Sequence, residues 1–387
     1  MKKGFKLAII IGIITIFLSG GIVTTLLLVD RENDLPRDAI LGIFTIESNI
    51  AYVTFDDFKA ITNNSMRITI EQLAQVYEFD DMKNITVIST QLNYHCFTSN
   101  YFDIIISLKK DGFQLNSNEI IMNSIAGIAL DISYSIIDIA PTTYDLLNFS
   151  NWSTEGESVN IDLIPSIEKV VIILLDSFGW YFWSNLSSLD IVSLNGTTVF
   201  EQPALTAFPS ITNVATASLV TGFWPSDTGI HTRQDHQLLS PSMFDIVSNN
   251  NLTTEIIEGN VGFINIEADI EHWLIDENDN GYTDEEIYFE ANESLTINRS
   301  DYLFIHFHGI DDVGHEYGPN TSEWLAKTIE VFSYVNNLLE LMGENTLVVI
   351  TADHGMHINQ DSEDYRIGTH GECRYEDIFV PFILLQH

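Results

Sequence analysis

Basic residues are scarce in this chain of 387 residues. Sixteen Lys and Arg stand against 55 Asp and Glu, a formal net charge of −39. A nucleic-acid partner is gripped through its phosphates by a basic face, so a nucleic-acid-binding face is excluded. Cysteine is almost missing: Cys96 and Cys373 are too few to staple a small disulfide fold. Charged residues make up only 18% and apolar residues 45%, which excludes an acidic disordered tail. No repeat with a period of about 20–50 residues and no low-complexity tract appears. What the chain has is length, enough for one large domain or two ordinary ones with a sizeable core.

One long uncharged run stands out. Residues 7–29, LAIIIGIITIFLSGGIVTTLLLV, carry no charge. As a helix they would reach roughly 34 Å, enough to cross a bilayer core. Lys2, Lys3 and Lys6 precede the run with no acid, and Asp30, Arg31, Glu32 and Asp34 follow it. The positive-inside rule then gives a cytoplasmic N-terminus at 1–6, a transmembrane signal anchor at 7–29 and an extracytoplasmic remainder at the cell membrane. The alternative is a cleaved signal peptide ending near Ser19-Gly20-Gly21. Ten N-x-S/T sequons, from Asn63 to Asn320, suit an exported glycoprotein without proving one. An oxidising compartment would allow Cys96 and Cys373 to pair; two separate thiols are the equal alternative.

From about residue 166 the pattern is α/β. VVIILL (170–175), TTEII (253–257), YLFIHF (302–307), TLVVIT (346–351) and IFVPFILL (378–385) are continuous apolar runs, as expected of strands buried on both faces. Between them, Ser322–Met342 reads as a helix, with an apolar face from Trp324 to Leu339 and Gly343 as its stop. Strands separated by helices predict a three-layer α/β/α fold with a mostly parallel central sheet. In residues 30–165, IAYVTF (50–55) and ITVIST (85–90) read as strands, and Ser124–Ile132 and Tyr144–Leu147 as helical. The polar stretch 151–160 reads as the linker into a catalytic domain at 166–387.

Chemistry-bearing residues gather where those strands end, which is where sites form in such sheets. Asp176 closes VVIILLD; alone, it is as easily a turn or cap aspartate. AFPSITNVATASLVTG (207–222) brings hydroxyls to a helix start, whose free N–H groups and dipole suit phosphoryl transfer; small residues for close packing are the alternative. HFHGIDDVGHEYGP (306–319) follows a strand with Asp311, Asp312 and His315 at metal-ligand spacing. Asp353-His354 follows another strand, and RIGTHGEC (366–373) sets His370 between glycines. Each piece is weak and the set is strong. Its oxygen and nitrogen donors suit two zinc-like ions.

In this order, D-S-F-G, T-x₈-T-G, D-x₃-H-x₂-G-P, A-D-H-G-M and G-T-H-G resemble the alkaline phosphatase superfamily, most of all its type I phosphodiesterase/nucleotide pyrophosphatase branch. The resemblance covers about residues 168–387. It implies two Zn²⁺, one held by Asp176, Asp353 and His354 and the other by Asp311, His315 and His370. It also implies a threonine nucleophile nine residues before Thr221, which is Thr212, and hydrolysis of a phosphate ester through a phospho-threonine. Thr206, Ser210 and Thr216 are rivals for that role. The sulfatase motif C/S-x-P-x-R is absent.

Two departures qualify the resemblance. The branch usually carries Asn in a G-I-x-x-N run, where this chain has Arg233 in Gly229-Ile230-His231-Thr232-Arg233. Arg233 would offer the phosphate a charged, forked donor. Second, IIDIAPTTYDLLNF (136–149) resembles a segment that closes these enzymes, yet here it precedes Asp176. This suggests a permuted order in which residues 31–150 pack onto the catalytic sheet. Separately, DENDNGYTDEE (276–286) places Asp276, Asn278, Asn280 and Asp284 at calcium-loop spacing, though Ile287 stands where an EF-hand has Glu. A structural Ca²⁺ or a solvated acidic turn both fit. The leading expectation is a membrane-anchored phosphodiesterase or pyrophosphatase. The alternatives are a phosphoethanolamine-type transferase, which HFHGIDDVGHEYGP also resembles, a phosphomonoesterase, and a binding protein on a decayed hydrolase fold.

Overall fold

The computed structural model describes residues 41–386 except 46–48, 64, 78–83, 90–93, 98–103, 110–111, 118–120, 150–151, 162–166, 260–261 and 360–365. The expected anchor at 7–29 lies outside the described residues. Among those described, no helix is long and apolar enough to cross a membrane.

An eight-stranded sheet comes first. It contains β1 (Leu41–Thr45), β2 (Asn49–Val53), β3 (Arg67–Thr69), β4 (Ile85–Ser89), β5 (Tyr94–Phe97), β6 (Ile105–Lys109), β7 (Gly112–Asn116) and β8 (Ile121–Leu130). Helices α1 (Phe55–Ile61) and α2 (Ile70–Tyr77) accompany it. The long strand β8 holds the sheet together, with β1 parallel to Gly127–Leu130 and β4 and β7 antiparallel. The helix expected over Ser124–Ile132 is therefore a strand. Its small residues, Ala126, Gly127 and Ala129, fit close packing between strands as well as a helix turn. The chain then makes a 3₁₀ turn at Ile136–Asp138 and helix α3 (Ile139–Leu146).

The second sheet has seven strands: β9 (Lys169–Leu175), β10 (Thr197–Leu205), β11 (Thr254–Gly259), β12 (Ile270–Leu274), β13 (Tyr302–Phe307), β14 (Thr346–Thr351) and β17 (Phe379–Gln386). A short ladder, β15 (His357–Ile358) and β16 (Gly368–Thr369), stands apart. The helices are α4 (Trp180–Ser188), α5 (Thr212–Thr221), α6 (Pro225–Thr228), α7 (Met243–Asn249), α8 (Asp284–Ile297), α9 (Gly309–Tyr317), α10 (Ser322–Leu339) and α11 (Tyr375–Ile378). The sheet order is β10-β17-β14-β9-β13-β11-β12, and only β17 runs against its neighbours. Strand β13 shows why this makes three layers. Tyr302 and Phe304 meet Phe244 of α7, whereas Phe307 meets Tyr334 of α10. Side chains alternate across a strand, so the two helices cover opposite faces. Strands β9, β13 and β14 are buried almost throughout, as their unbroken apolar runs predict.

Residues 132–160 share this core. Ile136, Ile139, Ala140, Tyr144 and Val159 join the cluster under β9, β13 and α5. The expected linker is tied down: Glu155 and Gly156 N–H donate to Gly222 O, and Glu157 N–H to the Asp138 carboxylate. Residues 41–130 instead form their own sheet. It docks through Phe44, Ile88, Ala129 and Ile132 onto Leu205, Phe208, Tyr375, Ile378 and Phe379. Cys373 is a free, half-buried thiol packed against Gly127, and desolvation raises its pKa. The side chain of Cys96 lies outside the described residues.

Candidate active site

Four adjacent parallel strands, β14, β9, β13 and β11, end along one edge of the sheet. Their carboxyl ends deliver Asp353 and His354, Asp176, Asp311 on the following helix α9, and Glu258. An Asp or His at the carboxyl end of a buried parallel strand lies beside the crevice above the sheet edge, where sites form. Asp176, Asp353 and His354 form one group, and Asp311, His315 and His370 another. Within each group the ligand atoms lie within 4.8 Å of one another.

The histidines are oriented by backbone. His354 Nδ1 faces Gly355 O at 2.9 Å, His315 Nδ1 faces Gly368 O at 2.8 Å, and His370 Nδ1 faces Ser210 O at 2.9 Å. A carbonyl accepts, so each Nδ1 carries a proton; His354 and His370, which burial keeps neutral, retain a lone pair on Nε2, whereas Asp311 raises the pKa of His315 against its burial. Those lone pairs face carboxylates: His354 Nε2 is 3.1 Å from Asp353 Oδ2 and 3.5 Å from Asp176 Oδ1. His315 Nε2 is 3.2 Å from Asp311 Oδ2, and His370 Nε2 is 3.8 Å from Asp311 Oδ1. At His354, which burial keeps neutral, a lone pair against a carboxylate is repulsive unless a cation lies between. Asp176 Oδ1, Asp311 Oδ1 and Asp353 Oδ2 are also buried without a hydrogen-bond partner. Orphaned acceptors and pre-aimed imidazoles fit a pair of divalent ions.

The electrostatics carry the same mark. Burial, then the charge of Asp176, pushes Asp353 well above the usual carboxylate range. Burial and then Asp311 raise Asp176 to about 6. Burial pushes His354 and His370 well below the usual imidazole value. Asp311, though buried, is held at about 2 by His315, His370 and Arg233.

Thr212 opens helix α5, and its Oγ1 lies 3.3 Å from His354 Nε2. Its rivals are placed otherwise. Thr206 and Ser210 donate to the carbonyls of Asp353 and Glu372, and Thr216 lies inside α5. The next residue, Asn213, donates to Asp235 O at 3.0 Å and to Phe263 O, tying the helix start to the loop that carries Arg233. Arg233 Nη2 donates to His370 Nε2 at 2.9 Å, so its guanidinium is at the site.

Asp284 serves a different purpose from the expected calcium ligand. It is buried, and its Oδ1 accepts from His308 N at 3.2 Å and Gly309 N at 3.0 Å at the start of α9. Lys327 Nζ sits 3.3 Å from its other oxygen. A carboxylate at a helix N-terminus is stabilising, and here it fixes the helix that carries Asp311 and His315. Asp276, Asn278 and Asn280 accept from backbone N–H groups of their own loop.

Three residues without an expected role, His306, His308 and Glu258, adjoin Asp176. Burial opposes a charge on His306, yet Asp176 and Glu258 raise it to about 10. Burial and then the charge of His306 push His308 down to about 3. His306 was hidden inside an apolar run, and Glu258 was one acid among 55 acidic residues. The alternation of His306 with His308 at a strand end was the available signal.

The comparison with known families falls on this site. Residues 266–369 match the family of type I phosphodiesterase / nucleotide pyrophosphatase. The resemblance read from the motifs holds. The matched phosphodiesterase segment includes Asp311, His315, Asp353 and His354, and stops just short of His370. GPI ethanolamine phosphate transferase 3, catalytic subunit, of Mus musculus is 38% identical over 61 residues, 16% of this chain and 6% of the relative. GPI ethanolamine phosphate transferase 3 of Saccharomyces cerevisiae is 38% identical over 85 residues, 22% of this chain and 8% of the relative. The matches thus span less than a tenth of these relatives' lengths. Among solved structures, murine ectonucleotide pyrophosphatase / phosphodiesterase 5 is similar with a TM-score of 0.45 and 14% identity, over 56% of this chain and 88% of that one. The C-terminal periplasmic domain of EcEptC from Escherichia coli, in complex with Zn, gives 0.39 and 12%, over 59% and 75%.

Proposed function

We propose that this chain is a phosphoester-handling enzyme that passes a substituted phosphoryl group through Thr212, as a phosphoethanolamine-type transferase. It would be held at the membrane by residues 7–29, with the site on the extracytoplasmic side. The observation that carries the reading is the seat of Thr212, at a helix start and 3.3 Å from His354 Nε2. The curated relatives supply the transferase preference over simple hydrolysis.

Asp176, Asp353 and His354 would hold one divalent ion of the zinc type, and Asp311, His315 and His370 a second. When bound, such ions supply Lewis acidity and offset charge on the phosphoryl oxygens. The chain's own residues do the rest. The Thr212 oxygen attacks phosphorus, a Thr–O–P bond forms, and the P–O bond to the first alcohol breaks as that alcohol takes up a proton. An acceptor hydroxyl then attacks phosphorus, loses its proton and releases Thr212. The first-turn N–H groups of α5 and the Arg233 guanidinium would bind the non-reacting oxygens. A second reading, hydrolysis with water as acceptor, is favoured by the phosphodiesterase family match.

The test is acid-quench mass spectrometry of the Thr212 peptide after incubation with zinc and phosphatidylethanolamine micelles, beside turnover of bis-p-nitrophenyl phosphate. The transferase reading expects a phosphoethanolamine adduct on Thr212 that persists without acceptor and disappears with EDTA or T212A. Fast diester turnover with no such adduct selects hydrolysis. Neither adduct nor zinc-dependent turnover overturns both.

A further inference from the structure

Two buried titratable residues, His357 and Asp377, stand beside the two ligand groups without belonging to either. His357 follows His354 by three residues, and in the β15–β16 ladder it lies opposite Thr369, the residue before His370. Asp377 lies in α11. His357 Nδ1 donates to Asp377 Oδ1 at 2.7 Å. The second oxygen, Oδ2, accepts from Glu372 N at 3.1 Å, two residues past His370. The backbone carbonyl of Asp377 accepts from Gly355 N at 3.0 Å, one residue past His354. Asp377 therefore grips both of the loops that carry these histidines.

We propose that the His357–Asp377 pair is a positioning device for the reaction: it sets the separation of His354 and His370, and with it the separation of the two ligand groups. The two imidazoles belong to different groups, and their rings stack with centroids 3.7 Å apart and planes 11° from parallel. A shift of either loop therefore moves one group against the other, and a misplacement of about 1 Å at reacting groups costs about 10²-fold in rate. The loops are not stiff by themselves. Glycine follows each histidine, Gly355 after His354 and Gly371 after His370, and Gly371 takes a φ of +101°. The pair supplies the missing constraint from a dry place. Burial raises the Asp377 carboxyl to about 6, and the bond from His357 opposes that rise most. A buried carboxylate stripped of such a donor bears its desolvation cost, which movement of α11 and both loops would relieve. His357 Nε2 also lies 3.6 Å from Glu372 Oε2, a second contact with the His370 loop. A pair that served stability alone would bear on folding and leave the ligand geometry untouched.

The inference rests on the assignment of His354 and His370 as ligands of two ions. In the full chain, His357→Leu removes the donor, and His357→Asn returns an N–H close to the place of Nδ1. His357→Leu should bind zinc about 10–100-fold less tightly in chelator competition, and lose kcat on bis-p-nitrophenyl phosphate with KM nearly unchanged. The visible bands of the Co²⁺-loaded protein should shift with the ligand geometry. His357→Asn should restore all three. Asp377→Asn, which keeps an oxygen for His357 but not for the Glu372 N–H, should fall between, and it decides the test if His357→Leu does not fold. Wild-type zinc affinity, kcat and Co²⁺ spectrum in a less stable His357→Leu, or in Asp377→Asn, would overturn the positioning role. Equal losses in His357→Leu and His357→Asn would overturn it as well. A wild type that binds no zinc overturns the ligand assignment, and the inference with it.

Discussion

Arg233 is the residue at which this chain departs from the pattern it resembles. Its guanidinium reaches His370 Nε2 rather than a surface acid. A charged hydrogen bond contributes about 1.5–3 kcal/mol, so R233A should lower kcat/KM about 10–100-fold while zinc content stays unchanged. R233K should recover only part, because Lys lacks the fork. Equal activity in R233A and wild type would remove Arg233 from substrate binding. The six proposed ligand positions were legible because Asp and His recur together in short motifs that follow the predicted strands. His306 and His308 stood in the same motif as Asp311 and His315 without an assigned role, and Glu258 was not legible, since only the pairing of β11 with β13 brings it to them.

At the scale of elements, close packing at strand ends sets the site. Gly355 follows His354, and a Cβ there would fall 1.9 Å from the Glu376 carbonyl oxygen, which is backbone and cannot swing away. G355A should cost about 1–3 kcal/mol and displace Asp353 and His354, losing an ion from their group. Denaturant midpoints with zinc counting check this; a stable variant with full zinc would count against it. The strand runs were readable because a parallel sheet buries both faces, and YLFIHF and TLVVIT coincide with β13 and β14. The run Ser124–Ile132 was not. Ile125, Ile128, Ala129 and Leu130 are buried without strand alternation, so its period gave no decision between helix and strand.

For the whole molecule, the acidic excess predicts a dependence on metal and pH. Removing the ions leaves the buried carboxylates facing one another, so EDTA should lower Tm and added zinc restore it. An unchanged Tm would contradict a metal centre. In metal-stripped protein, Asp138 supplies a separate test. It joins the early segment to the catalytic core, and burial pushes its carboxyl from 3.8 to about 6 despite N–H donors from Glu157 and Ser135. The folded state thus holds a proton that the unfolded state releases near pH 4. The contribution is intact below pH 4 and falls by about 3 kcal/mol as pH rises through 6. Urea midpoints of D138N should lose that component of the slope; curves parallel to wild type from pH 4 to 7 would sink it.

Strand β17 has a further consequence, for how the fold is reached. It lies between β10 and β14, so β10 joins the sheet only through residues 379–386. The pairing of Thr197 with Gln386 closes a loop of nearly two hundred residues, a slow step by contact order. Until it closes, β14 keeps an open edge, and the strand that leads into α5 is unpaired from the sheet. The start of α5, where Thr212 sits, is therefore among the last parts of the molecule to be assembled, long after β9 and β13 are able to pair.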